Sequence, residues 1–173
     1  ARDVKGITGE TVPAGRELAP GEISALMGVC MDDPSPGGCR DASIVALMYA
    51  AGLRRDEVIR LDLESYDQAT GRLLVHGKRN KERNAYITNG AAEAMQDWLI
   101  VRGTEPGPLF SPVGKGGKIR HSRLTTQAIY NMLKRRGKQA GIAKFSPHDM
   151  RRTFVSDLLE AGADIATVAK MAG

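Results

Sequence analysis

Apolar positions recur at helical spacing over most of this chain and alternate in only one short stretch. Residues 1–19 carry Gly, Thr and charge without a period, which predicts a linker ahead of a folded unit over residues 20–173. Pro20 and Glu22 open a helix with Ile23, Leu26 and Met27 on one face. Residues 32–39 hold two prolines and two glycines and read as a loop. Residues 40–51 are apolar nearly all round (Ile44, Val45, Leu47, Met48), which predicts a buried helix stopped by Gly52. A short helix follows from Arg54 to Leu61. Residues 72–76 and 83–87 read as two strands around a polar turn. Ala91, Met95, Trp98 and Leu99 set the next helix, with Trp98 on its core face, and residues 106–123 form a Gly- and Lys-rich loop. Ile129, Met132 and Leu133 mark a further helix, whose Lys134-Arg135-Arg136 run reads as a solvated face. Ser146 at the N-cap and Pro147 at the first position start another helix, ended by Gly162. Asp164 caps a last helix, whose Ile165, Ala166, Val168, Ala169, Met171 and Ala172 form a surface suited to burial. The expected fold is mainly α with one small antiparallel sheet.

Composition narrows the class. A chain of 173 residues fits one domain, and its net charge of +5 mildly favours a polyanionic partner. No apolar run approaches the roughly 20 residues of a membrane span, and no signal-peptide pattern opens the chain. Cys30 and Cys39 are too few for a disulfide framework and fit no zinc spacing, so free thiols in a reducing cytoplasm are expected.

Three basic spots stand apart from the packing pattern. Arg54 lies where the buried helix gives way to the next one. Lys78 and Lys81 lie in the turn between the strands. His148 and Arg151 are three apart near a helix start, so they share a face, which continues into the apolar Val155 and Leu158. Cations at the end of a core stripe are costly without an anion. Two arginines, a lysine and a histidine in one pocket suit a phosphodiester: each guanidinium donates a parallel pair of hydrogen bonds to phosphate oxygens, and His and Lys move protons. Cations that supply this charge make a metal unnecessary, and no carboxylate cluster of the magnesium-holding kind is present in the sequence.

These residues resemble the tyrosine recombinase (phage integrase) family. Its first box, Tyr-x-x-Gly-Leu-Arg-x-x-Glu, is matched by Tyr49, Gly52, Leu53, Arg54 and Glu57. Its hairpin is matched by Gly77, Lys78, Asn80, Lys81, Glu82 and Arg83, and its second box by Pro147, His148, Asp149, Arg151, Thr153 and Phe154. The resemblance implies the integrase catalytic-domain fold, with Arg54 and Arg151 clamping the scissile phosphate and His148 assisting proton transfer. Lys78, or alternatively Lys81, would be the general acid, and Glu57 would orient the cations. It implies no cofactor, a duplex DNA partner carrying a recombination site, and a tetramer in the intact protein, with this piece alone a monomer. The family reaction is attack by a tyrosine on DNA to give a 3′-phosphotyrosyl link. After Gly173 the pattern expects a His or Trp and then that tyrosine; Tyr49, Tyr66, Tyr86 and Tyr130 stand in other contexts, so this fragment is expected not to cleave DNA.

Other readings remain. Residues 154–173 superficially read as a helix-turn-helix, which would make the chain a non-catalytic DNA-binding accessory module. A type IB topoisomerase shares the chemistry without exchanging strands. Lys115, Lys118, Arg120 and Arg123 in the long loop are expected to track the DNA backbone, or else to be simply solvated.

Overall fold

The structure is a computed structural model that describes residues 15–173. These residues form a mainly helical body with one small antiparallel sheet, as expected. The helices are α1 (Pro20–Met31), α2 (Pro36–Ala50), α3 (Arg55–Arg60), α4 (Asn89–Arg102), α5 (Thr126–Gln139), α6 (Pro147–Glu160) and α7 (Ile165–Ala172). The strands β1 (Tyr66–Asp67), β2 (Arg72–His76) and β3 (Glu82–Tyr86) lie in the order β1-β2-β3. In register, Val75 faces Arg83 and His76 faces Glu82.

Helix α2 is the centre. Its residues from Asp41 to Met48 are all buried, because α1, α4 and α6 pack around it. Leu26, Leu47, Leu53, Trp98 and Phe110 are among the fully buried side chains, each contributing about 2–3 kcal/mol by removal from water. Trp98 is a core residue: it stacks on Phe110, and its indole N–H donates to the Leu109 carbonyl at 2.9 Å. Beside it the buried Arg102 donates to the carbonyls of Gly103, Pro108 and Leu109, so both side chains hold the chain that follows α4.

Several expectations are corrected. Helix α2 begins four residues earlier than residue 40, because Ser35 caps it by accepting the Gly38 N–H and Pro36 sits in the first turn. Gly38 belongs there for packing: a Cβ would lie 2.0 Å from the Asp33 carbonyl oxygen. The strand β1 was not foreseen, being only two residues long. Arg136 is not on a solvated face but buried, reaching Asp41 and Asp33 across the fold, while Lys134 and Arg135 are exposed. Val155 and Leu158 are only half-buried; Met150, Thr153 and Phe154 supply the buried face of α6 instead. Helix α7 does not bury the surface its composition suggested, since only Val168 and Ala172 are covered and Ile165 is 80% exposed. Its exposed face is still apolar rather than base-reading, which does not favour the helix-turn-helix reading.

The expected linker falls mostly on residues 1–14, outside the described residues. Its last residues are seated rather than loose. Arg16 pairs with Glu22, and its backbone N–H donates to Asp149; the Leu18 N–H donates to the Thr153 hydroxyl, with Leu18 buried. Among the described residues no helix is long and apolar enough to cross a membrane.

Candidate active site

The turn from α2 into α3 builds the first wall. Gly52 closes α2 with φ +63°, the left-handed region that favours glycine, and a Cβ there would sit 2.3 Å from the Phe154 ring of α6. This close approach brings the first and second sequence boxes together. The Gly52 carbonyl then accepts from Arg151 at 2.8 Å. Arg54 caps α3, and its backbone N–H donates to Glu57 at 2.8 Å.

The β2–β3 turn builds the second wall. Arg79 and Asn80 both adopt left-handed backbone, with φ 57° and 58°. That tightens the turn and lets the Gly77 N–H donate to the Lys81 carbonyl at 2.8 Å. Asparagine tolerates this region; arginine does so at a cost of about 1 kcal/mol, strain held at the point that presents Lys78.

The third wall is the start of α6. Pro147 occupies its first turn, and Asp149 accepts the Ser146 N–H at 2.7 Å. His148 is exposed there.

Arg54, Lys78, His148 and Arg151 all line one cleft of about 260 Å³, together with Arg55, Asp56, Thr126 and Pro147. The N-terminal turns of α5 and α6 open onto it, adding the positive ends of two helix dipoles. Lys78 also lines a second, larger cleft of about 960 Å³ with Lys81, Arg54, Glu57 and Arg83. Lys81 borders only that second cleft. Lys115, Lys118, Arg120 and Arg123 are exposed but line neither. The Arg123 guanidinium is turned to the protein, 2.6 Å from Asp62 and 2.6 Å from the Ile59 carbonyl.

Glu57 lies under the cations and is 1% exposed. It accepts a forked pair from Arg83 at 2.7 and 3.1 Å and a further bond from Arg54 at 3.3 Å. Burial alone would push this carboxyl up; the bonds from Arg83 and from the Arg54 amide outweigh it, and its pKa falls below the ordinary value. Burial, and then the neighbouring Arg54 charge, lower the Arg151 guanidinium from its ordinary value. A nearby negative charge would offset that cost. Among the described residues no group of three or more His, Cys, Asp and Glu side chains could hold a metal ion.

None of the four tyrosines lines the 260 Å³ cleft, while Tyr86 lines the larger one. The Tyr49 hydroxyl donates to Asp157 at 2.7 Å, and that bond, with burial, pushes its pKa up to about 12. Tyr130 lies under the Arg55 guanidinium, 5.6 Å from it.

Sequence reasoning missed Arg55. Its guanidinium lines the cleft, donates to the Thr126 carbonyl at 3.3 Å and rests on Tyr130. Its partners lie on α5, about 70 residues downstream, so no local spacing could mark it.

A sequence model of the phage integrase family matches residues 16–173. The chain belongs to that family. It is 32% identical over 158 residues to the tyrosine recombinase XerC of Alcanivorax borkumensis, covering 88% of this chain and 50% of the relative. It thus spans about half the length of that relative. A crystal structure of XerA recombinase superposes with a TM-score of 0.78 at 26% identity, over 90% of this chain and 55% of that one. The Tn1549 transposon integrase in complex with a circular intermediate DNA shares the fold, with a TM-score of 0.69 at 16% identity, over 96% of this chain and 60% of that one.

Proposed function

We propose that this chain is the phosphodiester-handling part of a site-specific recombinase that cuts and rejoins duplex DNA. One observation carries the reading: Arg54, Lys78, His148 and Arg151 come from three separate segments and line a single cleft. In this reading Arg54 and Arg151 hold the non-bridging oxygens of the scissile phosphate, and each such donor supports the transition state by about 3 kcal/mol. A tyrosine oxygen attacks phosphorus, the bond to the 5′-oxygen breaks, and a lysine gives that oxygen its proton. Lys78 is favoured over Lys81 because it borders both clefts. His148 receives the proton of the attacking hydroxyl. The 5′-hydroxyl of a partner strand then displaces the tyrosine, so bond energy is conserved. Solved integrases in complex with DNA support a DNA partner. A tetramer on its site, a cytoplasmic location and a monomeric state for this chain alone follow as parts of the same proposal.

None of the four tyrosines lines the phosphate cleft, so we propose that this chain does not itself cleave DNA. Two measurements test these claims. The affinity of the chain for a short duplex should fall steeply with salt, and Arg54→Ala or Arg151→Ala should each lower the slope of log K against log salt by about one. Affinity and slope unchanged in both variants would sink the phosphate reading. On nicked duplex DNA the chain should give no denaturant-resistant adduct; an adduct would mean that one of its own tyrosines is the nucleophile.

A further inference from the structure

The last helix is held in an unusual way. Helix α7 has eight residues and buries only Val168 and Ala172, with Ile165 and Met171 exposed. So little apolar contact does not keep so short a helix in place. Its end is fixed instead by guanidinium groups meeting carbonyls that have no partner within the helix. Arg83 donates to the Met171 carbonyl at 3.2 Å, Arg151 to that of Ala172, and Arg54 reaches that of Gly173 at 3.4 Å. Two of these three are clamp residues. The third has a different situation.

Arg83 lies on β3, where Arg83 and Ala85 are the inward positions, and its side chain is only 13% exposed. An arginine on the inner face of a strand needs a built partner, and Glu57 is that partner, taking both terminal nitrogens. The remaining Nε–H is the one that reaches α7. Gly173, with φ +85°, comes close to the same guanidinium: a Cβ there would be 3.0 Å from its Nη1. Arg83 thus joins the buried carboxylate under Arg54 to the C-terminal end of α7.

We propose that Arg83 is a positioning residue of the site, which locks the end of α7 onto Glu57 and thereby holds Arg54 and Arg151 in their phosphate-binding arrangement. It touches no phosphate itself. The claim about α7 stands on the geometry alone; its effect on DNA rests on the phosphate reading above.

The test compares Arg83→Gln, Arg83→Lys and Arg54→Ala in this chain, by hydrogen exchange of the amides and by salt-dependent binding to a short duplex. In Arg83→Gln, amides 165–173 should exchange about tenfold faster or more, the factor for losing one charge-assisted hydrogen bond, while α2 keeps its protection. DNA affinity should fall about tenfold with the salt slope unchanged, because no phosphate contact is lost. Arg83→Lys should recover part of the affinity but not the α7 protection, since an ammonium reaches Glu57 but cannot also serve the Met171 carbonyl. Unchanged exchange in α7 overturns the proposal. Faster exchange spread through α2 overturns it too, by making Arg83 a general stability residue. A slope lowered by about one, as expected for Arg54→Ala, overturns it by making Arg83 a direct phosphate contact. If Arg54→Ala leaves binding untouched while Arg83→Gln loosens α7, the phosphate reading falls and the hold on α7 remains.

Discussion

Two clusters of arginines lie at the two ends of α5, and they are wired differently. At its C-terminal end Arg40, Arg135 and Arg136 all donate to Asp41, which is fully buried, and Arg136 also meets Asp33 at 2.6 Å. At its N-terminal end Arg55 and Arg151 are oriented by backbone carbonyls, those of Thr126, Gly52 and Ala172. A carboxylate that orients a guanidinium also cancels its charge. A carbonyl orients it and leaves the charge in place. Arginines of the first kind hold a fold together, and those of the second kind keep charge for the proposed phosphate; Arg54 stands between them, paired with Glu57 at 3.3 Å while lining the cleft. What separates the two is the charge left over rather than the number of arginines.

The largest effect should come from removing the compensating carboxylate. Asp41→Ala leaves three guanidiniums beside a buried gap and should cost about 3–5 kcal/mol in urea unfolding, with little change in DNA affinity where the variant is still folded. A cost below about 1 kcal/mol would mean that the cluster does not depend on Asp41. Gly52→Ala should cost about 1–3 kcal/mol from its left-handed backbone and the Phe154 ring, and should weaken DNA binding as well, because Arg151 hangs on its carbonyl. Loss of stability with full DNA affinity would separate the turn from the clamp. Arg55→Met should leave stability within about 1 kcal/mol while lowering the salt slope of DNA binding by about one. The reverse result would move Arg55 into the structural class.

The smallest effect is on the acid limb. Hydrogen bonds from Ser35, and then Arg136, hold Asp33 down to about 2. A folded-state value below the unfolded one means stability that is present above the ordinary aspartate range and is lost as pH falls towards 2. Asp33→Asn should therefore flatten the loss of stability between about pH 4 and pH 2 without altering DNA binding at neutral pH. An unchanged acid limb would show that Arg136 gains its stability from Asp41 alone.

The sequence was informative where partners are close along the chain. Ser146-Pro147, Gly52 and the β2–β3 turn each carry their own local signal, and they position most of the cleft. It was silent where a partner lies far away. Arg136 sits in a run of three cations, and nothing nearby announces Asp41, 95 residues earlier. Pro36-Gly37-Gly38 has the composition of a loop, yet Gly38 is there so that the helix can pass the Asp33 carbonyl. For α7 the composition misled: an apolar sequence states only that burial would be favourable, while the residues available to cover it determine how much occurs.

The chain has one tryptophan, and its placement separates two kinds of signal. Trp98 is sealed beneath Phe110, bound to the Leu109 carbonyl, and lines neither cleft of the site. Its emission should therefore be blue-shifted and should move to longer wavelength only when the core opens to water. Loading the cleft with DNA should leave its colour unchanged, so one side chain reports unfolding while remaining blind to ligand.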